Sequence, residues 1–209
     1  MLNYRFLTRK ELPGAAQLVA RSLANDPLYA KLVGKSFPNR AEYIQMMFRV
    51  YMIKLAIDIR KGFAVGVYDN DKLIGVASCI PYNSNIKIWD YLKDGVIRLL
   101  PYFKHGIFKL WVHSKKIRHV QKKLVESGTW YIHGLAVNSK YRHKHVGRDL
   151  LLTQVLPELD RRHAKQVMVV TYTNDNRDFF ERYQFKAIAH LSSKRAKNIV
   201  SGFNLLKTH

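Results

Sequence analysis

The stretch Trp130-Tyr131-Ile132-His133-Gly134-Leu135-Ala136-Val137, continued by Asn138-Ser139-Lys140-Tyr141-Arg142-His143-Lys144-His145 and then Val146-Gly147-Arg148-Asp149-Leu150-Leu151, decides the fold. A strand pattern over 130–137 runs into a basic loop over 138–145. The loop runs into a helix from Gly147 to His163, with Leu150, Leu151, Val155 and Leu159 as its buried stripe. Pro157 inside that helix lacks an N–H and is expected to bend or split it. Where loop meets helix, free backbone N–H groups and the positive end of the helix dipole converge, an arrangement that attracts anions. Arg142, Lys144 and Arg148 add charge, and Gly147 permits close backbone approach. On physical grounds this is either a phosphate-binding turn or an ordinary basic surface loop.

Working outward, Tyr4 to Leu7 reads as a first strand, and Thr8-Arg9-Lys10-Glu11 fits a capping box before a helix that stops near Asn25-Asp26-Pro27. Pro38-Asn39 opens a second helix carrying Tyr43, Met46, Met47, Val50, Ile53 and Ile57, ended by Gly62. Phe63 to Tyr68 and Lys72 to Ile80 form a hairpin around Asp69-Asn70-Asp71. Residues 83–128 read as an insert of two helical stretches with a bend near Pro101 and Gly106. Downstream of the deciding stretch come a strand from Gln166 to Thr171, a short helix from Asp175 to Tyr183, and last strands over Phe185–Leu191 and Asn198–Leu206. Lys194-Arg195-Ala196-Lys197 fits an exposed turn between them. The order predicts one α/β domain over 1–209: a mixed, mostly antiparallel central sheet flanked by helices, with a βαβ unit near the end.

Composition narrows the class. The chain has 209 residues, 47% of them hydrophobic, enough for a real core and too many for general disorder. Its one cysteine, Cys79, excludes an internal disulfide framework and a cysteine-rich zinc module. No apolar run is long enough to cross a membrane and the N-terminus lacks a signal-peptide core, so a cytoplasmic location is expected. Lys plus Arg number 36 against 15 Asp plus Glu, a net charge of +21, which attracts anions without saying which.

Leu135-Ala136-Val137 followed by Tyr141-Arg142-His143-Lys144-His145-Val146-Gly147-Arg148-Asp149-Leu150-Leu151 resembles motif A of the GCN5-related N-acetyltransferase (GNAT) superfamily, whose signature is (Gln/Arg)-x-x-Gly-x-(Gly/Ala). Arg142 fills the first place and Gly147 the last; His145 stands where the middle glycine is usual, a departure of little weight if that position has a negative φ. Asn176-Arg177-Asp178-Phe179-Phe180-Glu181-Arg182-Tyr183-Gln184-Phe185 is similar to a second family segment. Asn25-Asp26-Pro27, the helical insert and Trp130-Tyr131 resemble more loosely the puromycin N-acetyltransferase type.

The resemblance implies a GNAT fold, acetyl-CoA as donor, and direct transfer of the acetyl group to a primary amine of a small molecule. It implies that Leu135, Ala136 and Val137 hold the pantetheine arm, that residues from His143 to Arg148 (His143, Lys144, His145, Val146, Gly147 and Arg148) cradle the pyrophosphate with Arg142, and that Asn176 and Phe180 lie along the cofactor. The rivals are a protein or peptide N-acetyltransferase, and a weakly catalytic acyl-CoA-binding module associated with an anionic partner such as RNA.

Catalysis needs a base and tolerates an acid. His133 is the candidate base: strand alternation puts Tyr131, His133, Leu135 and Val137 on one face, imidazole titrates near neutrality, and serotonin N-acetyltransferases are similar here. A hydrogen-bonded core histidine, Glu126 and a water relay are the alternatives. The family often has a tyrosine acid where Phe180 stands, and phenylalanine donates no proton. Either the thiolate, with a pKa of about 8–9, leaves unaided, or Tyr172 or Tyr183 substitutes, or transfer is poor. His143 and His145 lack a carboxylate or cysteine companion, so no metal is expected. His105, His113, His119 and His163 read as a solvated basic face.

Between Lys87 and Glu126 ten Lys or Arg face three Asp or Glu, with Trp89, Tyr91, Tyr102, Phe103, Phe108 and Trp111 interleaved. The insert is expected to cover the front of the sheet with its aromatics and to line the acceptor site; a surface for an anionic partner, lipid or RNA, is the alternative. No RNA-binding signature accompanies it, and nucleic acid is not the expected partner. The exposed last strands offer an edge for a homodimer.

Overall fold

A computed structural model describes residues 2–188, 190–193, 196–200, 203 and 204. Five strands form one sheet in the order β1 (Leu2–Phe6), β2 (Phe63–Asp69), β3 (Lys72–Pro81), β4 (Thr129–Val137) and β5 (Gln166–Val169). Every neighbouring pair is antiparallel except β4 and β5, which are parallel. A parallel pair needs a long crossover, and residues 146–161 supply it.

The helices form where the local chemistry directs. Before α1 (Leu12–Leu23), the Glu11 carboxylate accepts the Thr8 N–H at 2.8 Å and the Thr8 hydroxyl at 2.9 Å, and it also accepts the Tyr68 hydroxyl. A short α2 (Pro27–Leu32) follows the predicted stop. The long α3 (Arg40–Lys61) starts at Asn39, whose side chain accepts the Glu42 N–H at 2.9 Å. It ends at Gly62 because nothing larger fits: a Cβ there would lie 2.0 Å from the Cys79 carbonyl oxygen. This close approach fixes the end of α3 against β3.

The crossover helix is continuous but not uniform. It runs through α6 (Val146–Asp149), a π turn (Leu150–Val155) and α7 (Leu156–Arg161). Pro157 therefore widens the preceding turn rather than splitting the helix, which is one way to absorb the missing N–H. The helix's predicted stripe is buried as expected, and fully buried Leu150 and Leu151 each contribute about 1.5–3 kcal/mol. α1 and α3 pack on one side of the sheet; the crossover helix and α8 (Asn174–Glu181) pack on the other.

Two expectations change. The insert comprises three pieces, α4 (Ile88–Lys93), a 3-10 segment (Val96–His105) and α5 (Ile107–Gln121), because Gly95 and Gly106 both adopt positive φ and break the helical run. The two long C-terminal strands are instead short ladders, β6 (Lys186–Ala187) with β9 (Phe203–Asn204) and β7 (His190–Ser193) with β8 (Ala196–Val200). Lys194 and Arg195 of the expected turn lie outside the described residues.

Candidate active site

β5 pairs with β4 only from Thr129 to Ile132. Beyond that point β4 keeps its β3 partners from Gly134 to Val137 while its other edge parts from β5. The strand also carries a bulge. Ile132 pairs with Cys79 and Gly134 with Ser78, so His133 is the extra residue with no partner of its own. A bulge re-aims a side chain and shifts the alternation that follows. The expected shared face of Tyr131, His133, Leu135 and Val137 is therefore corrected. Tyr131 packs with the α1/α3 core and His133 also points to α3, whereas Leu135 and Val137 pack with the crossover-helix core.

On that face His133 Nδ1 lies 2.7 Å from Asp58 Oδ1 of α3. An ionised carboxylate only accepts, so beside one Nδ1 carries the proton, and in a neutral imidazole Nε2 is then the acceptor. The Asp58 side chain is 1% exposed and that of His133 20%, so the carboxylate is buried and the imidazole keeps limited access to solvent. The second carboxylate oxygen, Oδ2, is buried without a protein partner. Asp58 escaped the sequence reading because its partner is 75 residues away. The available signal was a charge inside the apolar run Leu55-Ala56-Ile57-Asp58-Ile59 of a core-facing helix.

Aromatic side chains gather beside the pair. Tyr131 stacks edge-on to His133 at 5.0 Å between ring centroids, and Tyr29 of α2 stacks on Tyr172 at 5.6 Å. The Tyr29 and Tyr51 hydroxyls are 3.5 Å apart. Burial, then the neighbouring phenols, push the Tyr51 and Tyr172 hydroxyls well above their ordinary range, so they stay neutral. α5 brings His113 to 6.1 Å from Tyr172. His113 is thus not part of the solvated basic face: burial, aided by Lys116, pushes its pKa down, and its Nε2 is buried without a partner. His119 and His163 are exposed, as expected.

The basic turn has the form of an anion cradle. The first amide bonded back into the crossover helix is that of Asp149, to the His145 carbonyl at 2.9 Å; the amides ahead of it are the free N–H groups of a helix start. His143 and His145 adopt left-handed φ of 60° and 61°. The condition of a negative φ at His145 fails, so histidine occupies a conformation that glycine tolerates better. Gly147 lies over β4: a Cβ there would meet Val137, Leu135 and Phe179 at 3.6–3.7 Å. His143, Lys144 and His145 are exposed, as is Arg142, which bonds the Ser22 hydroxyl of α1 at 3.2 Å. Arg148 pairs with Asp149 at 2.8 Å. The unpaired β4 edge and this turn suit an acyl-CoA, whose pantetheine arm bears amides and whose pyrophosphate is anionic.

The remaining expected residues divide. Asn176 is exposed on α8, its N–H held by the Thr173 hydroxyl at 3.2 Å. Phe180 is buried against Phe179 and Phe185, so the ring that meets Gly147 is Phe179. Tyr183 stacks on Phe179 at 5.2 Å, away from the cluster that holds Tyr172. Glu126 is exposed in the turn before β4.

The sequence model described as the Acetyltransferase (GNAT) family matches residues 32–185, and the chain belongs to that family. It is an acyltransferase of the acyl-CoA-using GNAT class. The chain's fold is shared by the C-terminal condensation domain of Ebony in complex with beta-alanyl-dopamine (12% identity, 98% and 99% of the two chains covered, TM-score 0.66). It is also shared by a ribosomal-protein alanine N-acetyltransferase from Escherichia coli (12%, 100% and 97%, 0.52). A third is the PaiA N-acetyltransferase from Thermoplasma acidophilum in complex with coenzyme A (12%, 96% and 97%, 0.52). No curated protein matches the chain by sequence. Among the described residues no helix is long and apolar enough to cross a membrane.

Proposed function

We propose that the chain transfers the acetyl group of acetyl-CoA directly to a primary amine of a small molecule, with His133 as general base held by Asp58. The observation that carries this is the Nδ1–Oδ1 contact of 2.7 Å at the bulge where β4 parts from β5. Bound acetyl-CoA supplies the acyl group and a thiolate leaving group. Leu135, Ala136 and Val137 would hold the pantetheine arm as an added strand is held. The amides of 143–148, with Arg142 and Lys144, would hold the pyrophosphate, and Asn176 would contact the arm.

An amine is protonated at neutral pH and must lose a proton before it attacks. His133 Nε2 accepts that proton, while Asp58 keeps the tautomer and balances the imidazolium that forms. The thiolate leaves without an acid from the protein: Phe180 has no proton to give, and a thiolate of pKa about 8–9 is stable enough to leave. Tyr172 belongs to the acceptor lining with Tyr29, Tyr51 and Tyr131. The cluster of phenols that begins at Tyr131 beside His133, with α5 packed on it through His113 and Tyr172, supports a small acceptor over a peptide groove.

The test is acetyl-CoA and free CoA in a thermal shift assay, followed by an amine panel with thiol detection. Stabilisation by both, since a ligand of the native state must stabilise it, and turnover on small amines support the proposal. No shift at millimolar cofactor, or turnover confined to peptide amines, overturns it.

A further inference from the structure

The exposed large hydrophobics of the described residues are concentrated in the insert. Ile88 and Trp89 of α4, then Ile97, Leu100 and Phe103, then Phe108 and Trp111 of α5 are each between 51% and 66% exposed. Single exposed apolar residues need no explanation, but a stripe does. Ile97, Leu100 and Phe103 recur every third residue along a 3-10 segment, where such positions eclipse one another, so they form one ridge. Leu99 between them is buried and anchors that segment to the core. Phe108 and Trp111 continue past Gly106 with ring centroids 5.8 Å apart, and Lys115 Nζ lies 3.7 Å over the Trp111 ring. The expectation that the insert's aromatics cover the sheet holds for Tyr91 and Tyr102, which pack against the core, and is corrected for Trp89, Phe103, Phe108 and Trp111, which face outward.

Along α4, the 3-10 segment and α5 the exposed charged side chains among the described residues are all basic. Lys93, Arg98, Lys109, Lys115 and Lys116 are exposed. The insert's two aspartates are turned inward and neutralised: Asp94 bonds Arg60 at 2.6 Å and Asp90 bonds it at 3.3 Å. The surface is therefore apolar and cationic, and its complement is apolar and anionic. RNA supplies the charge and bases to stack on, but Ile88, Ile97 and Leu100 have no ring to stack with. A lipid interface accepts aliphatic and aromatic side chains alike, with lysines at the headgroups.

We propose that the outer face of the insert docks on the surface of an anionic lipid bilayer, with the Ile97–Leu100–Phe103 ridge and Trp111 entering the headgroup boundary. The chain lies on the membrane and does not span it. Docking does not rest on the proposed acceptor or base, because it is argued only from the outward-facing side chains of the insert.

The test is vesicle co-sedimentation of the full chain with phosphatidylcholine alone and with phosphatidylcholine–phosphatidylglycerol mixtures, alongside tryptophan emission. Trp130 is buried, so the exposed Trp89 and Trp111 report contact. Binding to the anionic vesicles with a blue shift is expected. Leu100→Ser with Phe103→Ser, which leaves the net charge at +21, should weaken binding about tenfold or more, with acetyl-CoA binding unchanged. No binding to anionic vesicles, or equal binding by the double variant, overturns the proposal, the latter because charge alone then suffices. Binding of an RNA homopolymer that the double variant loses, without vesicle binding, also overturns it.

Discussion

Asp58 Oδ1 and His133 Nδ1 stand 2.7 Å apart across 75 residues of sequence, joining the last turns of α3 to the bulge in β4. The carboxylate is buried, so the pair fixes both the direction of the imidazole and its tautomer. Asp58 touches no substrate in this account; it acts through His133. Asp58→Asn can present an N–H to the ring and favour the wrong tautomer. It should lower kcat about 100-fold or more, leave the acceptor KM little changed, and leave acyl-CoA affinity intact in a titration. A fall in acyl-CoA affinity of the same size would mean that Asp58 is merely structural.

Gly62 is the mechanical basis of that pair. A Cβ there would press on the Cys79 carbonyl at 2.0 Å, directly beside the bulge that releases His133. Gly62→Ala should cost about 2–4 kcal/mol in chemical unfolding and reduce turnover in the fraction that folds. Wild-type stability would show that α3 is not pinned at this point.

His145 invites the opposite change. Its φ of 61° is left-handed, which costs a non-glycine residue about 1–2 kcal/mol. His145→Gly should raise the unfolding free energy by about 1 kcal/mol and retain acyl-CoA binding, because backbone amides make the cradle. Loss of binding would show that the imidazole itself holds the ligand.

Glu11 gives a pH-dependent contribution. The Tyr68 hydroxyl, with help from the Thr8 N–H and Arg5, holds its carboxyl below the ordinary value of 4.5 despite partial burial. A depressed carboxylate contributes stability that is present above the unfolded pKa and lost as pH falls through the folded one. Glu11→Gln should therefore lower stability by about 1 kcal/mol at pH 7, with the gap to wild type closing below pH 4.5. A gap that stays constant with pH would remove the carboxylate from the account.

The fold was legible because its signals are local. The strand, basic turn and helix over 130–163, the capping box at Thr8, the hairpin at Asn70 and the cap at Asn39 each depend on neighbours a few residues away. What was not legible depends on geometry between elements. No periodicity reveals that β4 carries one residue more than β3 between Ile132 and Gly134, and that single extra residue moves His133 and Tyr131 to the face opposite Leu135 and Val137. Asp58 was visible only as a charge out of place in α3. Burial of His113 and exposure of Trp89, Phe103 and Trp111 followed from how Gly95 and Gly106 fold the insert, which its amphipathic pattern left open.

The central claim is that His133 takes the proton from the amine. Its most direct test is kcat/KM for wild type and His133→Asn, whose side-chain N–H can still bond Asp58 without leaving a buried carboxylate alone, each measured with and without added imidazole. The account predicts that the variant loses about 100- to 10,000-fold of the rate at unchanged acyl-CoA affinity, and that added imidazole restores part of it. A variant that keeps the wild-type rate would contradict it.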